Sequence, residues 1–227
     1  MAWSGGKDSA MALWKLQQDQ ALEVVALLTT GNLETQRISM HGVRLELARA
    51  QAKAIGLPLI EVLVSNDSYN EYEQRMSAAL QDAVSQLGIS GVAFGDIFLE
   101  DLRKYREEKM RAVGLDTYFP LWKSDTGMLV KEFLEAGFET ILCCVSDGYL
   151  TEAFAGRIIS TALIAELPKE VDPCGENGEY HSFCFNGPIF SHPVKYRTGE
   201  KVYKPLEEKY HSESNPVRGF WYADLLE

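Results

Sequence analysis

The sequence is short of positive charge. Its 227 residues include 22 lysines and arginines against 33 aspartates and glutamates, which gives a net charge of −11. We do not expect a chain this acidic to present a broad surface to nucleic acid or to an anionic membrane, because both partners are themselves negatively charged. A polyanion such as a nucleotide would need a local pocket of backbone N–H groups, lysine and metal.

Long apolar runs and paired cysteines are missing as well. No apolar segment approaches the length that is required to cross a bilayer. The start of the chain, Met1 to Ser4, lacks the basic stretch and apolar run of a secretory leader. The four cysteines form no C-x-x-C pair and no zinc-ligand spacing, and a chain of this size needs no disulfide bonds. We therefore expect a cytoplasmic protein with reduced thiols and no membrane partner.

The first two-thirds of the chain alternates apolar runs with amphipathic stretches. Short aliphatic runs without a polar face predict strands buried on both sides of a parallel sheet, at Val24 to Leu28, Leu59 to Val64, Val92 to Phe94 and Ile141 to Val145. Apolar residues at helical spacing predict helices at Ala10 to Gln17, Val43 to Ile55, Tyr69 to Leu87 and Leu99 to Val113. This order predicts an α/β fold with a doubly wound, mostly parallel sheet.

After Leu167-Pro168 the pattern changes to short β-type runs that are separated by turns. These runs predict antiparallel hairpins at Tyr180 to Phe185, Val194 to Tyr196, Val202 to Lys204 and Phe220 to Tyr222. Pro120 and neighbouring aromatic residues interrupt the earlier alternation. We therefore expect an α/β domain over residues 1–120 and a smaller, mixed C-terminal region over residues 121–227.

The hexapeptide S-G-G-K-D-S stands between a β-type start and an amphipathic helix, and it consists of Ser4, Gly5, Gly6, Lys7, Asp8 and Ser9. Paired glycines let the backbone approach a ligand, and the helix that follows points its free N–H groups at the same place. Lys7 can neutralise phosphate charge. Asp8 suits a site in which Mg²⁺ lies between the carboxylate and the phosphates. The hexapeptide therefore predicts a phosphate loop with Asp8 as metal ligand.

Three other interpretations compete for this hexapeptide. A Walker A loop has Ser or Thr directly after Gly-Lys, and Asp8 interrupts that pattern. Ser4 to Lys7 matches the S-x-x-K of penicillin-binding enzymes, but their Ser-Asp-Asn and Lys-Thr-Gly elements are absent from the sequence. A plain turn with Asp8 or Ser9 as helix N-cap is the structural alternative. The complete hexapeptide at a strand-to-helix junction favours the phosphate site.

The segment Asp172 to His181, D-P-C-G-E-N-G-E-Y-H, is the densest cluster of chemically capable residues. A solvated turn is the structural interpretation, because Asn177-Gly178 is a turn-forming pair. Opposite a phosphate site, its carboxylates could instead capture ammonium or an ammonium-bearing substrate, and His181 could transfer protons. On this segment alone both interpretations stay open.

Weaker signals come from single residues. His41 precedes the second predicted helix, where a nucleotide contact and a surface or cap role both stay open. Gly95 and Asp96 follow a strand at its carboxyl end, where open α/β sheets bind ligands, and Asp96 could bind metal or substrate or cap the next helix. The alternating charges of that helix predict a salt-bridged solvent face. Cys174 has no partner cysteine, which favours packing or substrate contact over a nucleophilic role.

The hexapeptide resembles the S-G-G-x-D-S loop of the N-type ATP pyrophosphatases, which adenylate a carboxyl or carbonyl oxygen and release pyrophosphate. Over nearly its whole length the chain resembles the diphthine–ammonia ligase family. That resemblance rests on Trp3 to Ser9, Gly95-Asp96-Ile97, Pro120-Leu121-Trp122, Asp172 to His181 and Gly187-Pro188. It implies that ATP activates the carboxylate of diphthine on elongation factor 2 as an acyl-adenylate, that ammonia attacks it, and that the amide and AMP leave.

The loop and the resemblance together assign roles to individual residues. The expected ATP-binding residues are Ser4, Gly5, Gly6, Lys7, Asp8, Ser9, His41 and Gly95. The expected catalytic residues are Lys7, Asp8, Glu179 and His181, with Asp8 as the ligand of Mg²⁺. The expected substrate-binding residues are Asp96, Cys174, Gly175, Glu176, Asn177, Gly178 and Glu179. Residues 1–120 would then bind ATP, and residues 121–227 would bind the substrate.

The partners follow from the same resemblance. They are ATP and ammonia, together with diphthine-bearing elongation factor 2 if the source is archaeal or eukaryotic and an unidentified carboxylate otherwise. Homodimer formation stays open. The alternatives are an ATP pyrophosphatase with another role, RNA-thiolating or nucleotide-hydrolysing, and a non-catalytic nucleotide-binding regulatory module. Because three residues precede Ser4, we also expect the first strand to be a short stub at the centre of the sheet.

Overall fold

Helices and strands alternate through the first half of the computed structural model, which describes residues 1–65, 69–212 and 215–227. The helices of this half are α1 (Lys7–Gln17), α2 (Leu45–Ile55), α3 (Tyr69–Leu87) and α4 (Glu100–Ala112). Its strands are β1 (Leu27–Asn32), β2 (Arg37–Ile38), β3 (Leu59–Val64), β4 (Gly91–Ala93) and β5 (Asp116–Tyr118). Helix α2 ends at Gly56, which has a left-handed φ of +85°.

The strands of this half are mostly parallel. β1 pairs with β3 and β4 with β5 in parallel, while the short β2 runs antiparallel to the end of β1. The N–H of Trp3 donates to the carbonyl oxygen of Leu28 (2.7 Å), and the N–H of Ala2 donates to that of Ala93 (2.8 Å). The stub before Ser4 therefore lies between β1 and β4, so its predicted central position is confirmed. The mixed α/β class with parallel strands is also confirmed, whereas the doubly wound arrangement stays a prediction.

The second half of the chain forms an antiparallel sheet. Its helices are α5 (Thr126–Glu135) and α6 (Thr161–Glu166), and its strands are β6 (Glu139–Ser146), β7 (Tyr180–Asn186), β8 (Arg197–Pro205) and β9 (Gly219–Leu226). The four strands are hydrogen-bonded in the order β7-β6-β9-β8, and all neighbouring pairs are antiparallel. The antiparallel pairing agrees with the prediction for this region, but among the predicted runs only β8 and β9 pair as chain neighbours, and the domain boundary at residue 120 stays a prediction.

One predicted strand belongs to the other sheet. Ile141 to Val145 was expected in the parallel sheet, and that expectation is wrong, because β6 pairs antiparallel with both β7 and β9. Both faces of β6 are covered: Leu142 and Val145 pack in one buried cluster, whereas Ile141 and Cys143 pack in another. A strand that is buried on both faces has the same uninterrupted apolar pattern in either kind of sheet.

Two smaller expectations also need correction. Val194 to Tyr196 is not a strand; the N–H of Val194 makes a single hydrogen bond to the carbonyl oxygen of Phe185 (2.7 Å). The strand predicted at Val24 to Leu28 begins at Leu27 and continues into the more polar T-T-G-N segment. The T-T-G-N residues alternate between buried and half-buried positions, as strand residues do, but they are polar or small. Their hydrophobicity is therefore too low to predict a strand from the sequence.

The two halves share one core. The largest buried cluster includes Trp3, Met11 and Leu27 from the first half together with Phe133 and Leu142 from the second. The outer edge of β7 meets the hexapeptide, where the N–H of Cys184 donates to the carbonyl oxygen of Gly5 (2.8 Å). Among the helices within the described ranges, none combines the length and apolar character needed to cross a membrane.

Candidate active site

The phosphate loop, Ser4 to Ser9, is supported from below by Gln51 of α2. Gly5 has a φ of +78°, and a Cβ there would lie 2.6 Å from the side-chain oxygen of Gln51. The buried Gln51 amide donates to the carbonyl oxygens of Gly5 (2.9 Å) and Cys184 (2.6 Å), and its oxygen accepts from the Trp3 indole (2.9 Å). Sequence analysis missed Gln51, although a glutamine on the buried face of an amphipathic helix is a detectable signal.

The polar groups of the loop are already engaged with one another. The Ser9 hydroxyl donates to the carbonyl oxygen of Gly6 (2.9 Å), and the N–H of Gly6 donates to Ser4 Oγ (3.3 Å). The N–H of Lys7 donates to Ser182 Oγ on β7 (3.1 Å). Ser182 was not predicted, and it makes the second half of the chain part of the phosphate loop's surroundings.

Lys7 and Asp8 form an ion pair at the start of α1. The Lys7 ammonium, whose side chain is 3% exposed, contacts the Asp8 carboxylate and lies 5.6 Å from the centre of the Tyr180 ring. Burial disfavours the charged ammonium, but the attraction of Asp8 outweighs it and raises the pKa of Lys7 above its ordinary value. The Asp8 side chain remains 33% exposed, so its carboxylate is accessible to a ligand.

Gly95 and Asp96 lie directly beside this pair. A Cβ on Gly95 would lie 3.0 Å from the carbonyl carbon of Asp8, so the end of β4 approaches α1 closely. Asp96 is buried, with Arg106 Nε 3.1 Å from its Oδ2, and burial raises the pKa of Asp96 although Arg106 opposes the shift. Arg106 belongs to the charged helix that was expected to be a salt-bridged solvent face. Because it pairs with a buried carboxylate, that interpretation is wrong for this residue.

Glu176 connects the Asp172–His181 segment to the end of β4. Its carboxylate accepts hydrogen bonds from the N–H groups of Ile97 (2.7 Å) and Phe98 (3.3 Å). Burial raises the pKa of Glu176 to about 7; the backbone hydrogen bonds oppose this shift, and the nearby charge of Asp8 adds to it. Glu176 can therefore exchange a proton near neutral pH.

The Glu179 carboxylate is buried within the Asp172–His181 segment. It is 1% exposed, and its two oxygens accept from the N–H of Asp172 (3.0 Å), the N–H of Asn177 (2.9 Å) and the Asn177 side-chain amide (3.0 Å). The N–H of Gly175 donates to Asp172 O, and the N–H of Gly178 donates to Gly175 O, which closes two tight turns. In this arrangement the Glu179 carboxylate holds the shape of the segment.

Cys174 is a buried thiol at the same site. Its Sγ lies 3.3 Å from the carbonyl oxygen of Thr126, and burial raises the pKa of the thiol to about 12, although Lys7 opposes the shift. All four cysteines are free and buried. A protonated, enclosed thiol is a poor nucleophile, so the environment of Cys174 favours packing.

The rings of His41 and His181 contact each other beside the phosphate loop, with their planes tilted by 37°. Their ring centres are 4.6 Å apart, and His41 Nε2 lies 3.1 Å from the point that a Cβ on Gly6 would occupy. Burial lowers the pKa of His41 well below its ordinary value, and the neighbouring His181 adds to the shift. Burial, with a contribution from Lys7, lowers the pKa of His181 to about 4. Both imidazoles are therefore neutral at pH 7.

A cavity of about 330 Å³ lies on the far side of His181. It is lined by Met40, Tyr149, Asn177, Gly178, His181, Leu206, Asn215, Val217 and Phe220. The Asp172–His181 segment thus presents Glu176 to the backbone after β4 and Asn177, Gly178 and His181 to the cavity. A second cavity, of about 350 Å³, lies beside Met1, Ile60 and Gly91 and contains none of the predicted site residues.

A resident metal site built by protein side chains alone is absent from the described parts of the chain, where no three His, Cys, Asp or Glu residues are grouped to hold an ion. Mg²⁺ in nucleotide sites is commonly held by one or two carboxylates together with substrate phosphates. The partly exposed Asp8 carboxylate at the phosphate loop meets this requirement. The residues present therefore fit Mg²⁺ that arrives with a nucleotide.

Family profiles cover most of the chain. Residues 1–117 match the diphthamide synthase N-terminal domain, and residues 125–214 match the diphthamide synthase C-terminal domain. The chain belongs to the diphthamide synthase family. The phosphate loop lies within the N-terminal match of this family and the Asp172–His181 segment within its C-terminal match, whereas β9 lies beyond both.

The curated relatives carry one name. A diphthine–ammonia ligase from Danio rerio is 27% identical over 167 residues, covering 66% of this chain and 65% of the relative. That of Schizosaccharomyces pombe is 25% identical over 218 residues, covering 88% of this chain and 36% of the relative. That of Rattus norvegicus is 29% identical over 120 residues, covering 50% of this chain and 45% of the relative. The matched part of this diphthamide synthase family member thus spans less than two thirds of each relative.

Proposed function

We propose that the chain is an ATP-dependent amide ligase, which adenylates a carboxylate and transfers it to ammonia with release of AMP and pyrophosphate. The observation that carries this proposal is the meeting of two motifs that are far apart in sequence. Glu176 accepts a hydrogen bond from the N–H of Ile97 (2.7 Å), two residues after Gly95, whose backbone packs against the backbone of Asp8. A phosphate loop and a proton-exchanging carboxylate therefore share one site, and a cavity lies behind it. Family membership and the name of the relatives support the same activity.

The nucleotide half of the reaction would use the phosphate loop. When ATP binds, the backbone N–H groups of Gly5, Gly6 and the start of α1, and the hydroxyls of Ser4 and Ser9, would donate to its phosphates in exchange for their present partners in the loop and Ser182. Lys7 would offset the charge that develops on pyrophosphate as it leaves. Asp8 would hold Mg²⁺ together with phosphate oxygens, and the metal when bound would neutralise charge on the leaving group.

The acceptor carboxylate and ammonia would bind between Glu176 and the cavity. A carboxylate oxygen of the acceptor attacks the α-phosphorus of ATP, and the bond to the bridging oxygen of pyrophosphate breaks. Ammonia then forms a bond to the acyl carbon, and AMP leaves with its bonding electron pair. The proton lost by the attacking nitrogen needs a base whose pKa lies near neutrality, which describes Glu176. The neutral His181 would donate or accept a hydrogen bond at the cavity wall.

Several site assignments remain part of the proposal. Glu179 would hold the shape of the Asp172–His181 segment and would not take part in catalysis, because its oxygens already accept three hydrogen bonds there. Asp96 would contact substrate through its buried carboxylate, and His41 would contact the nucleotide beside Gly6. The carboxylate acceptor is proposed to be diphthine, after the name of the relatives, and the family resemblance implies elongation factor 2 as the protein that carries it. The cytoplasmic location, the homodimer and the doubly wound sheet also remain predictions.

The environment of Cys174 weighs against the RNA-thiolating alternative. That chemistry needs a thiolate, and the Cys174 thiol is buried with its pKa raised to about 12. A nucleotide-hydrolysing enzyme or a regulatory module would need neither an acceptor cavity nor Glu176 at the end of β4. These alternatives differ from the ligase in their products, so the same assay separates all of them.

The first test is the exchange of labelled pyrophosphate into ATP in the presence of diphthine-bearing elongation factor 2, followed by addition of ammonium and chromatography of the products. We expect wild type to form AMP and pyrophosphate, and Lys7→Ala to lose about a hundredfold in exchange rate, because one electrostatic contact in the transition state is removed. Lys15→Ala is the matched control, since Lys15 lies on the same helix and pairs with Glu132 instead of facing the loop. ADP as the main product would remove the proposed activity.

The second test separates the acceptor half. With ammonium and diphthine-bearing elongation factor 2, Glu176→Gln and His181→Ala are expected to keep ATP affinity within a few-fold while amide formation collapses. Isothermal titration measures the affinity, and mass spectrometry of the acceptor measures the amide. Full amide formation by both variants would show that the Asp172–His181 segment is structural only.

A further inference from the structure

One loop touches both parts of the site. The segment Arg37 to Arg44, here called the His41 loop, places His41 against Gly6 of the phosphate loop and Met40 in the wall of the cavity. Met40 is 69% exposed and has a φ of +65°, a strained backbone conformation for a residue with a side chain. A loop in this position influences nucleotide and acceptor together.

The loop's own hydrogen bonds set its shape. The N–H of Ile38 donates to the carbonyl oxygen of Val43 (2.7 Å), and the N–H of Gly42 donates to that of Ile38 (3.1 Å). These bonds close the loop upon itself, and none of them ties it to the second half of the chain. β2 and the N–H of Ser39, which donates to the carbonyl oxygen of Thr30 (3.2 Å), tie the loop to β1, and a separate set of contacts ties it to the second half of the chain.

Those contacts come from β9. Asp224 pairs with Arg37 through Oδ1 (2.8 Å) and with Arg44 through Oδ2 (2.8 Å), so that one carboxylate holds both ends of the loop. Arg37 also donates to the carbonyl oxygen of Gly42 (2.7 Å). Gly42 itself, with a φ of +69°, packs on the Tyr222 ring so closely that a Cβ would lie 2.6 Å from the ring edge.

The Asp224 network is stronger than an isolated surface ion pair. Its three side chains are between 22 and 36% exposed, and charge-assisted hydrogen bonds in such partly desolvated networks are well ordered. Burial opposes the ionised carboxylate, yet Arg44 and Arg37 outweigh it and lower the pKa of Asp224 to about 2. The network therefore stays charged throughout the neutral range.

We propose that Asp224 is a positioning residue: by holding Arg37 and Arg44 it sets His41 against the phosphate loop, and β9 thereby becomes part of the nucleotide site. The proposal rests on the proposed function in one respect, that the ligand of the phosphate loop is ATP. It assigns a role to a strand that lies outside the residues matched by the family profiles.

The test compares Asp224→Asn with Glu61→Gln. Glu61 forms a similar bidentate pair with Arg49 (2.7 and 2.7 Å), and its side-chain exposure of 21% matches the 22% of Asp224. That pair lies outside the His41 loop. If the freed loop occupies its binding position about one tenth of the time, the Kd for ATP rises about tenfold in Asp224→Asn. Glu61→Gln should stay within twofold of wild type.

A second readout does not depend on nucleotide. In the free protein, NMR signals of the His41 and His181 rings report their contact, and we expect Asp224→Asn to shift both while Glu61→Gln shifts neither. Thermal melts confirm that both variants are folded. Unchanged ring signals in Asp224→Asn, or equal loss of ATP affinity in the two variants, would overturn the proposal. Failure of wild type to bind ATP would instead count against the proposed function, and the ring signals would still decide the role of Asp224.

Discussion

Gln51 offers the most direct test of how the phosphate loop is held. Replacement by Met keeps a side chain of similar volume but removes the hydrogen bonds to Trp3, Gly5 and Cys184. The carbonyl oxygen of Gly5 retains the N–H of Cys184, so the loss falls mainly on the Trp3 indole and the Cys184 carbonyl oxygen. Each buried polar group without a partner costs about 1–3 kcal/mol, which predicts a destabilisation of about 3 kcal/mol.

Urea unfolding monitored by circular dichroism measures this change. The control is Gln17→Met, because Gln17 is exposed at the end of α1 and its replacement should change the free energy of unfolding by less than about 0.5 kcal/mol. Since Gln51 also holds Gly5 in its left-handed conformation, ATP affinity should fall in the folded Gln51→Met protein. A variant with wild-type stability and wild-type ATP affinity would refute the argument that Gln51 supports the loop.

Three further outcomes are expected. Gly95→Ala places a Cβ 3.0 Å from the Asp8 backbone, and the resulting small shift of the phosphate loop should lower the rate of AMP formation by about tenfold in turnover assays. Burial lowers the pKa of His181 from 6.5 to about 4, so the unfolded chain binds a proton at this residue before the folded protein does. The contribution of His181 to the free energy of unfolding is therefore greatest above pH 6.5 and falls, by at most about 3 kcal/mol, as the pH drops to 4. Urea titrations should show a flatter pH dependence in His181→Gln. Cys174→Ser should keep amide formation within about tenfold, because the protonated thiol takes no part in the reaction.

The sequence predicts a helix most accurately where the spacing of its apolar residues and the residue that ends it agree. Helix α3 spans Tyr69–Leu87 as expected, because apolar residues recur every three or four positions and Gly88 ends the run. The phosphate loop is equally local, since its glycines, lysine and following helix are contiguous. Strand β6 shows the limit: burial on both faces is visible in the sequence, but the direction of its partners is not.

Most of the residues that sequence analysis missed act across long separations. Gln51 bonds to Cys184, Ser182 to Lys7, Arg106 to Asp96 and Asp224 to Arg44. In three of these four pairs more than 130 positions separate the partners, so no local period contains the information. The three long-range pairs form only once the antiparallel sheet has docked against the first half of the chain, whereas Arg106 and Asp96 both belong to that first half. Only Gln51 carries a local signal, as a glutamine on a buried helical face.

The contact between the antiparallel sheet and the phosphate loop would also link the two proposed half-reactions, adenylation and transfer to ammonia. His181 lines the cavity and Ser182 accepts from the N–H of Lys7, and the two are consecutive residues of β7. Successive side chains of a strand point to opposite faces, so under the proposed function β7 would serve the acceptor through His181 and the phosphate loop through Ser182. A nucleotide that draws the N–H of Lys7 towards its phosphates would weaken the hydrogen bond to Ser182. The strand that carries His181 would then respond directly, without any movement of one half of the chain against the other.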